Sequence, residues 1–205
     1  MNRRKLLAVL GCLTATAGCL ASPPEDQSES ADRSVREHID GEVSRPDCER
    51  ESESVEVGVG EDTQTFETAA TVPYPDPFSG GARSAVVEYV EAFEHAYVTK
   101  DALCDRHSAG HVFRVLYDVL ERETFDWDGT IDIVFLLRRG AATHGSDGDG
   151  GVWVADVVAE GVVYAVDETG VARVAYPGVT ARDEGSYESG APDPLESGRL
   201  VATFD

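Results

Sequence analysis

The 205 residues of this chain are 41% hydrophobic and 8% aromatic, enough for one ordinary core, and the length favours a single domain with tails. Asp and Glu number 39 against 17 Lys and Arg, a formal net charge of −22. Phosphate backbones and anionic bilayer surfaces repel such a chain, which argues against nucleic acid as a partner.

The first residues, Asn2-Arg3-Arg4-Lys5, are a compact cationic start, and Leu6 to Leu13 form an apolar run of the length of a signal h-region. A membrane span needs about 20 predominantly apolar residues. The polar stretch SPPEDQSES arrives too early for that, so residues 1–18 read as a cleaved signal peptide. Thr16-Ala17-Gly18-Cys19 resembles a lipobox, which implies that a lipid is attached to the Cys19 thiol and that the signal is cut just before it. Two acyl chains, at about 0.8 kcal/mol per buried methylene, anchor firmly without a polybasic patch. Arg3 and Arg4 ahead of the apolar run look like a twin-arginine export signal, although Lys5 follows them directly.

Residues 19–54 are rich in Ser, Glu, Asp, Arg and Pro and have little apolar periodicity, so they read as a lipidated, disordered acidic tether. Val35 and Ile39 are too few to hold a helical turn there. The folded domain is expected over 55–205, opening with a strand in which Val55, Val57 and Val59 alternate with polar or small residues. Pro73, Pro75 and Pro77 on alternate positions force an extended approach. A helix follows: Val86, Val90, Phe93 and Tyr97 recur at helical spacing, while Ser84, Glu88, Glu91 and His95 share the opposite face.

The remaining apolar segments alternate with period two. Phe113, Val115, Tyr117 and Val119 form one set, although Val112, Leu116 and Leu120 also fit a helix; Ile131, Ile133, Phe135 and Leu137 form the next, after an Asp-Gly turn. The glycine-rich HGSDGDGG links two strands. VWVADVVAEGVVYAV and VARVAYP, split by the acidic turn DETG, read as a second hairpin, and RLVATF as an edge strand. One long N-terminal helix packed on an antiparallel β-meander is an α+β architecture resembling cystatin-like or NTF2-like folds, a likeness that carries no activity.

Four cysteines fall at 12, 19, 48 and 104. The first leaves with the signal and the second takes the lipid, so Cys48 and Cys104 remain, and an exported location permits a disulfide between them if geometry allows. Cys104, Asp105, His107 and His111 lie within eight residues; His107 and His111 are four apart and would converge on a metal only if the segment were helical and a further donor joined. Ordinary surface histidines are the alternative. Asp147 and Asp149 resemble a calcium loop but lack its third acid and closing Glu. No G-x-S-x-G elbow and no phosphate-cradling glycine loop is present, so nothing in the sequence supports catalysis and no cofactor is expected. Trp127, Trp153, Tyr164 and Tyr176 are candidates to line a concave sheet face, or else belong to the core.

With only Lys5 and Lys100 as lysines among so many carboxylates, the chain is similar in composition to proteins of extremely halophilic archaea, where salt screens repulsion and acidic groups keep the surface hydrated. Together with the lipobox it resembles the small lipoproteins of those organisms. That resemblance implies an outward-facing, lipid-anchored module at the cell membrane, binding a small ligand or an envelope component. The alternatives are an exported metal-dependent hydrolase built on His107 and His111, or a purely structural surface protein.

Overall fold

A computed structural model of the chain describes residues 33–104, 110–127, 129–147, 151–181 and 185–204. In chain order the elements are α1 (Val35–His38), β1 (Ser54–Val59), β2 (Asp62–Glu67), α2 (Arg83–Cys104), β3 (His111–Phe125), β4 (Asp132–Ser146), β5 (Val152–Val154), β6 (Ala159–Asp167), β7 (Gly170–Tyr176), α3 (Pro194–Ser197) and β8 (Arg199–Thr203). β1 and β2 form a separate hairpin. The other strands make one antiparallel sheet in the order β3-β4-β6-β7-β8, with the short β5 also paired to β4.

This corrects the expected fold class. Among the described residues strand accounts for 41% and helix for 19%, so the structure is mostly antiparallel β, not an α+β fold with one long N-terminal helix on a meander. The 22-residue α2 comes third in the chain's larger units, after α1 and a hairpin, and it covers only one of two buried sheet faces. The physical reason lies in the central strands: β4 and β6 run IVFLL and VVYAV, apolar at consecutive positions, and a strand of that kind is buried on both sides. Val134, Leu136, Val162, Tyr164 and Val166 face α2 through Val86, Val90, Phe93 and Tyr97. Ile133, Phe135, Leu137, Val163 and Ala165 face the other way, against Val35, Phe125, Val179 and Tyr187.

Val35 requires a second correction. It is fully buried, so the segment before residue 55 is not all tether. Asp167 accepts from the Val35 backbone N–H at 2.8 Å, and Glu37 accepts from that of Ser34 at 3.0 Å, which satisfies two donors that a four-residue helix leaves orphaned. Further on, Ser44 N–H donates to the Leu200 carbonyl at 2.8 Å and Arg45 donates to that of Val201 at 3.2 Å. Residues 44 and 45 therefore shield the free side of β8, the exposed edge that would otherwise invite pairing with another chain. Arg45 also lies over the Tyr74 ring, 4.1 Å from its centroid.

The segment is then fastened to α2. Cys48 and Cys104 form a disulfide with their Cα atoms 5.7 Å apart, and Lys100 donates to the Cys48 carbonyl at 2.6 Å. β3 is a strand throughout, which settles the ambiguity over residues 112–120. Register shifts near Arg114 and Val119 bend the β3–β4 ribbon, as bulges do. At Gly140 the sheet meets α2 closely: a Cβ there would sit 2.8 Å from Val98 Cγ1, so any side chain would force Val98 or the helix to shift.

Candidate functional site

Four strands of the α2 face carry an apolar row that ends in a charge. On β4 the row is Val134, Leu136, Arg138; on β6 it is Val166, Tyr164, Val162, Glu160; on β7, Val171 then Arg173; on β8, Val201 then Arg199. Antiparallel register brings these ends side by side. Arg138 opposes Glu160, Tyr164 opposes Arg173, and Arg173 opposes Arg199.

α2 supplies the counter-charge. Glu94 occupies the position four residues after Val90, on the buried stripe, and is 0% exposed. Arg173 donates to it twice, from Nε at 2.9 Å and Nη2 at 2.8 Å, and Arg138 donates from Nε at 2.8 Å. The Tyr164 hydroxyl donates to Glu94 Oε2, the oxygen that also accepts from Arg173 Nε. Burial alone pushes the Glu94 carboxyl up, but the charges and hydrogen bonds of Arg173 and Arg138 outweigh it and hold the group below its ordinary range. For Arg173 burial works downward, but Glu94 by charge and hydrogen bond, together with Tyr164 and Tyr97, outweighs it, so the guanidinium is fixed as a cation. Burial, reinforced by the Glu94 charge, drives the Tyr164 phenol well up, and it stays a neutral donor.

Above this ionic floor lies a cavity of about 460 Å³ between the second half of α2 and the sheet, lined by Tyr97, Val98, Asp101, Arg138, Glu160, Arg173 and Arg199 among others. Small residues keep it open: Ala102, Gly140, Ala141, Ala142 and Ala175 also line it. The Tyr97 ring lies under two guanidiniums, 4.2 Å from Arg173 and 5.6 Å from Arg199, a cation–π arrangement, and its hydroxyl accepts from Arg199. Burial raises the Tyr97 phenol, so its own proton remains available for donation. The arrangement offers a fixed set of donors with carboxylates at the rim; it can hold and orient a small charged molecule.

The residues singled out from sequence are dispersed. Tyr164 is fully buried beneath this cavity, whereas Tyr176 packs with Phe135 on the opposite face and Trp153 sits on β5 against Val112 and Ala142. Trp127 lies in the β3–β4 connection against Phe125. These aromatics therefore line no common surface, because alternation sends neighbouring strand residues to opposite faces. Cys104 is consumed by the disulfide and His111 opens a strand, not a helical turn; Asp105 and His107 lie outside the described residues. Among the described residues no group of three His, Cys, Asp or Glu could hold a metal ion. Asp147 accepts from Gly151 N–H at 2.6 Å, closing its own loop, while Asp149 and Cys19 lie outside the described residues. No described helix is long and apolar enough to cross a membrane.

Sequence reasoning missed Glu94, Arg138, Arg173 and Arg199. Their signal was present, as charges standing where the apolar period called for a hydrophobe. No family model, curated protein or solved structure matches the chain.

Proposed function

We propose that the protein is an outward-facing module, held at the cell membrane by a lipid on Cys19 and adapted to concentrated salt, that binds a small ligand in the cavity between α2 and the sheet. The cavity carries the reading through its lining: a cleft of about 460 Å³, within the size range of small-molecule sites, opens over buried ionic groups. The lipobox-like sequence and acidic surface support the location.

A thermal-shift screen of small metabolites in molar potassium chloride tests the binding function, since a ligand of the native state raises its apparent stability. Ala175 is exposed and lines the cavity, so Ala175→Trp fills it from the outside at little structural cost. A compound that stabilises the parent and leaves Ala175→Trp unmoved supports the reading; equal shifts in both, or none in either, would count against it. For the anchor, Cys19→Ser should move the protein from the membrane fraction to the medium. Retention of that variant on membranes with its signal segment removed would refute the lipid link.

A further inference from the structure

We propose that the ligand of this cavity is a small zwitterion bearing a carboxylate and an ammonium group, of the amino-acid class. The proposal rests on reading the helix–sheet cavity as a ligand site. Its starting point is an opposed like-charged pair: Arg173 and Arg199 are direct register partners across β7 and β8, an arrangement that is destabilising unless an anion joins it. Glu94 does not serve both. It is spent on Nε and Nη2 of Arg173 and on Nε of Arg138, and it is buried beneath them.

Arg199 donates instead to the neutral Tyr97 hydroxyl, and among the described residues no carboxylate pairs with it. It is an exposed cation at the cavity wall of a protein whose net charge is −22. A planar carboxylate placed there takes charge-assisted bonds from Arg199 and a hydrogen bond from Tyr97, whose oxygen is already engaged as an acceptor. The same cavity argues against a more highly charged anion, because Glu160 and Asp101 line it too. Glu160 gives one oxygen, Oε2, to Arg138 at 3.1 Å and keeps Oε1 for a second cation. An ammonium group meets that need. Both signs of charge, in a cavity also walled by alanines, define a short molecule with a positive and a negative end.

Calorimetric titration of the full chain in molar potassium chloride tests this with glycine, β-alanine, γ-aminobutyrate and L-leucine, against acetate, methylammonium and inorganic phosphate. At least one amino acid should bind roughly tenfold or more tightly than acetate and phosphate, the expected gain from one added charge-assisted contact. Arg199→Gln should weaken that amino acid by a similar factor. Glu160→Gln should weaken it while leaving acetate unchanged, which a merely structural role for Glu160 would not produce. Both residues are exposed, and unaltered thermal unfolding of the variants checks that they fold. Acetate binding as tightly as every amino acid, or Glu160→Gln having no effect, would overturn the zwitterion. If no probe binds while another compound gives a shift that Ala175→Trp abolishes, the ligand class is wrong and the cavity reading stands. If neither occurs, both fall.

Discussion

Glu94 holds two arginines and a tyrosine from a position no solvent reaches. A buried ion pair adds little net stability compared with apolar residues of the same shape, but removing one partner leaves uncompensated charge in a low dielectric. Glu94→Ala strands the buried Arg173 and leaves Arg138 only its exposed partner Glu160, and is expected to destabilise the fold by about 3–5 kcal/mol in denaturant unfolding. Glu94→Gln keeps the acceptor geometry and should cost less. The pH dependence follows from the same group. Its folded pKa is depressed, so its contribution is fully present above the ordinary carboxylate pKa and is lost as pH falls through that range toward the folded value. Unfolding free energy measured across the acid range should therefore decline more steeply for the parent than for Glu94→Gln. Parallel curves would refute the assignment.

Among elements, α2 is where the chain's separate pieces meet. Its apolar stripe rests on the sheet, Glu94 grips β4 and β7, and its last residue, Cys104, is bonded to Cys48. The disulfide spans 56 residues and encloses the β1–β2 hairpin, the proline stretch and the helix. In the chain-entropy account a loop of that length contributes about 4 kcal/mol by restricting the unfolded state. The double variant Cys48→Ser, Cys104→Ser should lose up to that amount while keeping its sheet. Circular dichroism would report the sheet and chemical denaturation the loss; an unchanged midpoint would mean that the packing around Arg45, Tyr74 and Lys100 holds the segment unaided.

At the scale of the whole molecule, a net charge of −22 over 205 residues makes a self-repelling chain, and the Debye length falls from about 8 Å at physiological salt to 3 Å at 1 M. If the composition reflects adaptation to brine, the melting temperature should climb steadily as potassium chloride rises from dilute to molar. A melting temperature insensitive to salt would remove the argument. The buried Glu94 cluster is screened far less than surface charge, so Glu94→Ala should lower the melting temperature at every salt concentration.

Much of the element order was legible beforehand, because the helix stripe from Val86 to Tyr97 and the hairpin across DETG obey simple periods that depend only on neighbours along the chain. The candidate site was not legible in that way. Arg138, Glu160, Arg173 and Arg199 come from four strands, and each by itself reads as an ordinary charge at the end of an apolar run. Val35 was read as part of a tether because the partner that buries it arrives more than a hundred residues later.

By itself the sequence determined the chain's charge, the lipobox-like cysteine, the helix stripe and the alternating strands, since composition and short-range period are properties of the linear chain. The tertiary structure alone decided that the sheet is covered on both faces, that Cys48 meets Cys104, and that two arginines from separate strands close on one buried glutamate. Strand register governs those meetings. Register is fixed by long-range packing and by turns that set which residues stand opposite, and a shift of one position would send every one of these charges to the other face.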